Sequence, residues 1–255
     1  MADILDKFIE KAKENVSSGY YRKGAAYTGA RHSLAARLSS RKFSLIAEIK
    51  HASPAGEYSF DHIDVEKTAH DFLECGADAI SVVVEPQIFK GSLENVPVAK
   101  SAGLPVLFKD FVICGEQIEA AARVGADAVL LVVKVSDRLG LDLDALIGKA
   151  HGLGLEVLLE CYDEGEMARA VETKADVLGI NNRDLRTLKV DIGLTGSILS
   201  NFPGIGRPVI SESGIRGIED ARRVRSYGAR GILVGTAIWK ADDLRGMIKE
   251  LKSDG

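Results

Sequence analysis

Cysteine is scarce in this chain. Its 255 residues include Cys75, Cys114 and Cys161, far apart and with no C-x-x-C pair. That gives no zinc spacing and suits free thiols in a reducing compartment. Long apolar runs are missing too, since no stretch approaches the ~20 residues that a spanning helix needs. The opening MADILDKFIEKAKENV is charged throughout, unlike a signal peptide. There is no excess of positive charge. A net charge of −4 and a pI of about 5.8 argue against a general binder of nucleic acid or anionic membrane, leaving only local basic pockets open. His32, His51, His62, His70 and His151 show no ligand spacing, so no metal is expected. The expectation is a cytoplasmic protein, a monomer or weak homo-oligomer, acting on a small molecule.

What is present is alternation. Residues 2–17 place Ile4, Leu5, Phe8, Ile9 and Ala12 at helical spacing between charged residues. A second short helix is expected around Ser33–Leu38, so residues 1–40 read as a helical extension packed on the main body, or more plainly as a solvated tail. Eight short Val/Ile/Leu-rich runs follow, at 45–49, 79–84, 106–108, 128–133, 156–159, 177–180, 208–210 and 231–234. They lack strict alternation, as strands covered on both faces should. Helical periodicity fills the gaps at 65–75, 117–124, 143–153, 166–173 and 218–227. A faint repeat joins CGADAISVVVE (75–85) to VGADAVLLVVK (124–134), with weaker echoes at 173–182 and 227–236. Its period of roughly 50 residues is about two βα units. Eight such units in this length predict an α/β fold, a (β/α)8 barrel spanning 41–255, in one domain with the extension. A doubly wound open sheet is the alternative, but no G-x-G-x-x-G follows the first run.

Each run delivers polar groups at its C-terminal end. They are Glu48 and Lys50, Glu85, Lys109 and Asp110, Lys134, Glu160, Asn181 to Asp184, Ser211 to Gly214, and Gly235 with Thr236. In a barrel these converge at the mouth, where such enzymes act. Strands turning polar at solvent would explain one or two charges, but not three lysines and three glutamates set against apolar runs. The glycine turns SESGI and VGTAI suit phosphate, which backbone N–H groups can approach closely. Glu48 and Lys50 are two residues apart and so point to the same side.

The chain resembles the indole-3-glycerol phosphate synthases of tryptophan biosynthesis. The resemblance runs through IAEIKHASPAG (46–56), VEPQIFKGSLE (84–94), VLFKDFVI (106–113), GADAVLLVVK (125–134), LLE (158–160), GINNRDL (179–185), SESGI (211–215) and LVGTAI (233–238). Eight motifs in the family's order make a specific match. It implies a cofactor-free ring closure, decarboxylation and dehydration of 1-(2-carboxyphenylamino)-1-deoxyribulose 5-phosphate. It implies Lys109 as the general acid of ring closure, its proton donation eased by desolvation, and Glu160 as the base of dehydration. Lys50 would contact substrate, either as the acid of dehydration or only to hold it, Glu48 would orient the lysines, Asn181 would hydrogen-bond the substrate's sugar portion or the catalytic groups, and Ser213 would lie at the substrate position. Arg183 would take the anthranilate carboxylate, Phe89 and Phe111 would wall its ring, and Lys134 would add a substrate contact. Ser53, Gly214, Gly235 and Thr236 match phosphate positions. Ala55 stands where the family often has Ser, and Val84 where Thr is usual. Two other readings stay open. An aldose–ketose isomerase or epimerase barrel would share the phosphate turns but not Glu48-x-Lys50 with Lys109. A catalytically dead scaffold would not need Lys109, Glu160 and Lys50.

Overall fold

The computed structural model describes residues 4–54, 56–185 and 187–253. Ala55 therefore lies outside the described residues, as do the ends of the 1–40 and 41–255 segments. In chain order the elements are α1 (Ile4–Ser17), α2 (Leu34–Ser39), β1 (Ser44–Ile49), α3 (Val65–Glu74), β2 (Ala79–Val83), α4 (Asn95–Ala99) and β3 (Val106–Lys109). Next come α5 (Gly115–Arg123), β4 (Ala128–Val132), α6 (Val133–Leu139), α7 (Leu143–Gly152), β5 (Glu156–Cys161), α8 (Glu164–Ala170) and β6 (Val177–Asn181). The chain ends with α9 (Gly193–Asn201), β7 (Val209–Glu212), α10 (Ile218–Ser226), β8 (Gly231–Val234), α11 (Thr236–Lys240) and α12 (Leu244–Lys252). All eight strands are parallel, each pairs with its sequence neighbours, and β8 closes on β1. This is the expected closed barrel rather than the open sheet.

The strands fall where the apolar runs predict, with instructive differences at their ends. Pro208 lies just outside β7, because it has no N–H for the ladder, while its carbonyl accepts from Leu178 N at 3.0 Å. The fourth run ends one residue early. The chain turns into α6 at Val133, so Lys134 lies on that helix and not at a strand end. Two β-branched positions of that helix, Val133 and Val135, are buried. Tertiary packing overrides their weak helix propensity. Asp163 caps α8 by accepting from Glu166 N at 2.8 Å, which starts that helix before the periodic stretch does.

Two buried clusters divide the apolar residues. One lies between strands and helices. The other fills the barrel with Ile46, Leu107, Leu158 and Ile210 from the odd-numbered strands and Ala79, Ala128 and Val177 from the even ones. Leu5, Phe8, Ile9, Leu34 and Leu38 belong to this inner cluster. Helix α1 reaches it at the mouth, where Phe8 stacks on Phe111 at 4.6 Å between ring centroids. Helix α2 reaches it at the opposite end, where Ala35 N donates to Glu156 at the start of β5 at 2.8 Å.

That opposite end explains the repeat. Asp78, Asp127 and Asp176 each precede an even strand, and each accepts from the N–H of the first or second residue of the preceding odd strand. The bonds run from Leu45 N at 3.0 Å, Val106 N at 2.7 Å and Val157 N at 2.8 Å. A basic side chain faces each carboxylate. Lys252 lies 2.8 Å from Asp78, Lys100 2.6 Å from Asp127 and His151 2.9 Å from Asp176. Arg230 holds the corresponding place in the fourth echo, and its backbone N–H donates to Val209 O at 2.7 Å, as those of Asp78, Asp127 and Asp176 donate to the carbonyls of Leu45, Val106 and Val157.

Candidate active site

Two residues beyond the inner layer Ile46, Leu107, Leu158 and Ile210 stand Glu48, Lys109, Glu160 and Glu212. Period-two alternation keeps them inside the barrel, and alternate strands of such a barrel contribute side chains to one layer. Here the apolar layers give way to three carboxylates and an ammonium. Glu48, Glu160 and Glu212 are at most 3% exposed. The Lys109 ammonium bridges two of them, 3.1 Å from Glu48 Oε2 and 3.2 Å from Glu212 Oε2. Lys50, again two residues further along, pairs with Glu48 Oε1 at 2.8 Å. Two glycines make room for this layer. A Cβ on Gly179 would collide with the Glu212 carboxylate, and one on Gly235 with that of Glu48.

The charges settle one another. Burial by itself would raise the Glu48 carboxyl, but Lys109 and Lys50 hold it down at about 2. Burial by itself would likewise lower the Lys109 ammonium, but Glu48, Glu212 and Glu160 reverse that and raise it well above the usual lysine range. The expectation that desolvation eases proton donation from Lys109 is therefore corrected for the free protein. Its carboxylates win, and the group is fully charged at neutral pH. Glu212 goes the other way, because burial and the facing Glu160 charge raise it more than Lys109 lowers it. Its Oε1 has no hydrogen-bond partner among the described residues.

One cavity opens over this layer. Of the residues expected from the sequence, Glu48, Lys50, Ser53, Phe89, Lys109, Phe111, Glu160, Asn181, Arg183, Ser213, Gly214, Gly235 and Thr236 line it. Lys134 does not. It pairs with Glu166 at 3.6 Å and lies over the Tyr162 ring. Ser53 donates to Glu57 Oε2 at 2.8 Å, and the Arg183 guanidinium reaches the Leu188 carbonyl at 3.4 Å. Ser213 and Gly214 take φ values of +64° and +83°. A non-glycine residue in that region costs on the order of 1 kcal/mol and persists only where its surroundings impose it. Trp239 of α11 donates to the Glu48 carbonyl at 2.7 Å, tying the loop after β8 to the end of β1.

Several lining residues escape sequence reasoning. Glu212 is visible as part of a polar strand end, but the family resemblance marks its neighbour Ser213 instead. Phe8 is visible only as one position of an amphipathic stripe. Glu85 and Asp110 also line the cavity, yet both serve the scaffold. Glu85 accepts from the N–H groups of Gln87, Ile88 and Phe89. Asp110 accepts from the Tyr21 hydroxyl at 2.6 Å. Among the described residues no group of three or more His, Cys, Asp and Glu is arranged to hold a metal ion.

Comparison with known proteins adds to this geometry. Solved structures of a thiamine phosphate pyrophosphorylase from Pyrococcus furiosus (TM-score 0.61, 20% identity, 83% of this chain and 95% of that one) and an N-acetylmannosamine-6-phosphate 2-epimerase from Clostridium perfringens (TM-score 0.60, 16% identity, 84% and 93%) share the fold alone. An indole-3-glycerol phosphate synthase of Bacillus cereus is 38% identical over 259 residues, covering 99% of both chains. That of Bacillus mycoides is 36% identical over 255 residues, again covering 99% of each. The family model described as indole-3-glycerol phosphate synthase matches residues 4–251. With its charged layer at the mouth of a closed barrel, the chain belongs to the indole-3-glycerol phosphate synthase family.

Proposed function

We propose that Lys109 donates the proton for ring closure and that Glu160 is the base of the dehydration. The activity is the family's, conversion of 1-(2-carboxyphenylamino)-1-deoxyribulose 5-phosphate to indole-3-glycerol phosphate with release of CO₂ and water. The aromatic carbon that bears the carboxylate attacks the ribulose carbonyl carbon. The carbonyl oxygen takes the Lys109 proton, and the carboxylate leaves as CO₂, its bonding pair restoring the aromatic ring. The new hydroxyl then takes a second proton and leaves as water, while Glu160 removes the proton whose loss forms the pyrrole double bond.

The observation that carries this reading is the Lys109 ammonium, half-buried at the floor of the cavity and bracketed by Glu48 and Glu212. A lysine held charged at neutral pH gives up its proton only to an oxygen made strongly basic, as the carbonyl oxygen becomes during attack. General acid help of this kind is worth roughly 10²–10⁴-fold. Lys50 then serves as the second acid or holds the substrate, and Glu48 holds both ammonium groups. Asn181 and Ser213 sit beside the reacting carbons. Arg183 meets the anthranilate carboxylate, as a guanidinium fork suits that anion. Phe89 and Phe111 wall the ring, and Ser53, Gly214, Gly235 and Thr236 face the phosphate.

The proposal extends to the rest of the chain. Residues 1–40 form a helical extension and 41–255 the catalytic barrel of one domain. The protein works in the cytoplasm as a monomer or weak homo-oligomer, without a cofactor and apart from nucleic acid and membranes. Among the described residues no helix is long and apolar enough to cross a membrane. The test of the central assignment is indole fluorescence on adding the anilino-ribulose phosphate. Lys109→Ala should lose turnover by at least about 10³-fold with an unchanged circular dichroism spectrum. Wild-type kcat in that variant would remove Lys109 from the role.

A further inference from the structure

Tyr162 takes no part in the acid–base set described so far. It follows Glu160 by two residues, so both side chains point to the same side as the chain leaves β5. The ring is 7% exposed and lines the cavity. Its hydroxyl donates to Glu160 Oε1 and accepts from Asn181 Nδ2 at 3.1 Å. Asn181 is itself oriented, because its Oδ1 accepts from Arg183 N at 3.0 Å. The other side of the residue is held as well. The Lys134 ammonium lies 4.8 Å from the ring centroid, Lys134 pairs with Glu166 at 3.6 Å, and Glu166 accepts the Tyr162 backbone N–H at 2.8 Å.

We propose that Tyr162 is a positioning residue for Glu160, committing one carboxylate oxygen to the protein and so fixing the direction in which the other faces substrate. Ring packing accounts for the burial of Tyr162. It does not account for two directed hydrogen bonds that run from Asn181 through the phenol to one carboxylate oxygen. With the phenol oxygen accepting from Asn181, its single proton is directed to Glu160. Burial, reinforced by the charges of Glu160, Glu212 and Glu166, raises the phenol well above the ordinary tyrosine range, so it stays a donor. Lys134 and Glu166 gain a role here without touching substrate, since they steady the ring from outside the cavity.

The proposal rests on the reading of Glu160 as the dehydration base, and the test separates the two. Steady-state and single-turnover rates are measured for Tyr162→Phe, Glu160→Gln and the double variant. A hydrogen bond to a charged group predicts a loss in kcat of about ten- to a hundred-fold for Tyr162→Phe, with KM within about twofold. If Tyr162 acts through Glu160, adding Tyr162→Phe to Glu160→Gln slows the enzyme by no more than about twofold, as members of one unit are non-additive. Wild-type kcat in Tyr162→Phe overturns the proposal, and so does an equal loss in both backgrounds. If Glu160→Gln keeps wild-type kcat, the base assignment fails first and the positioning role falls with it. Ring-fluorinated tyrosines at position 162 give a readout that does not depend on the cavity left by the lost hydroxyl. Increasing phenol acidity should change kcat in a graded way at constant KM, and a flat series overturns the proposal.

Discussion

Glu48 holds two ammonium groups, and Lys109 is shared between Glu48 and Glu212. This sharing decides the protonation of the site, because each buried charge is tolerated only beside its opposite. Among the described residues no cation pairs with Asp110, one residue past Lys109, to offset its burial. Burial and the nearby Glu85 outweigh the Tyr21 hydroxyl and the Phe111 N–H, so its carboxyl rises to about 7. A carboxyl raised in the folded state binds more protons folded than unfolded. Its contribution to stability is therefore complete below the unfolded value and is lost as pH rises toward 7. Asp110→Asn should remove that loss. Between pH 4 and 7 the unfolding free energy of the variant should improve relative to wild type, by at most about 4 kcal/mol. Denaturant titrations of both proteins across that range check it, and parallel curves would place the Asp110 carboxyl in the ordinary range. The identities of Glu48, Lys50, Lys109 and Glu160 as candidate site residues were legible from their position at strand ends. The sense of each pKa was not, because it depends on partners brought from other strands.

At the scale of the element, strands proved easier to read than short helices. A strand buried on both faces needs a run of Val, Ile and Leu, which is visible in one dimension. Helices such as α9, Gly193–Asn201, carry two glycines and a weak stripe, and α11 spans only Thr236–Lys240. Neither can be stable alone, since short helices depend on tertiary packing. Helix α1 is the opposite case, with a clear stripe whose purpose the sequence does not show. Its Phe8 stacks on Phe111 and lies 5.8 Å from Phe89 between centroids, completing an aromatic wall of the cavity. Phe8→Ala should therefore raise KM about tenfold and change kcat by less than about threefold, since it removes binding surface rather than an acid or base. Steady-state kinetics decide the matter, and an unchanged KM would leave α1 with a purely structural role.

At the scale of the whole molecule, the two ends of the barrel divide the work. The mouth gathers the reacting groups, whereas the opposite end ties strands together through Asp78, Asp127 and Asp176. The Lys100–Asp127 pair there is at most 1% exposed on either side chain. Breaking a buried pair from one side leaves an uncompensated charge and costs about 3–5 kcal/mol. Lys100→Met should lower stability by about that much, a large share of the roughly 5–15 kcal/mol of a typical domain. Its kcat at a temperature where the variant is folded should stay at the wild-type value, because the pair stands at the far end from the cavity. Denaturant unfolding together with an activity assay would expose the opposite outcome, a catalytic defect without a stability loss.

The sequence by itself determined the eight strands, their burial on both faces and the polar residues at every C-terminal end but that of the fourth. These are local consequences of residue type and period. It also carried the aspartate repeat, because each copy answers the same local need to satisfy an N–H at the first or second residue of a neighbouring strand. Only the tertiary structure decided that Glu212 completes the charged layer, that Lys134 stands outside the cavity, and that Phe8 from the far N-terminal segment closes it. Closure of the barrel brings strands 1, 3, 5 and 7 to one level. Contacts between residues far apart in the chain follow from that closure, and no local pattern encodes them.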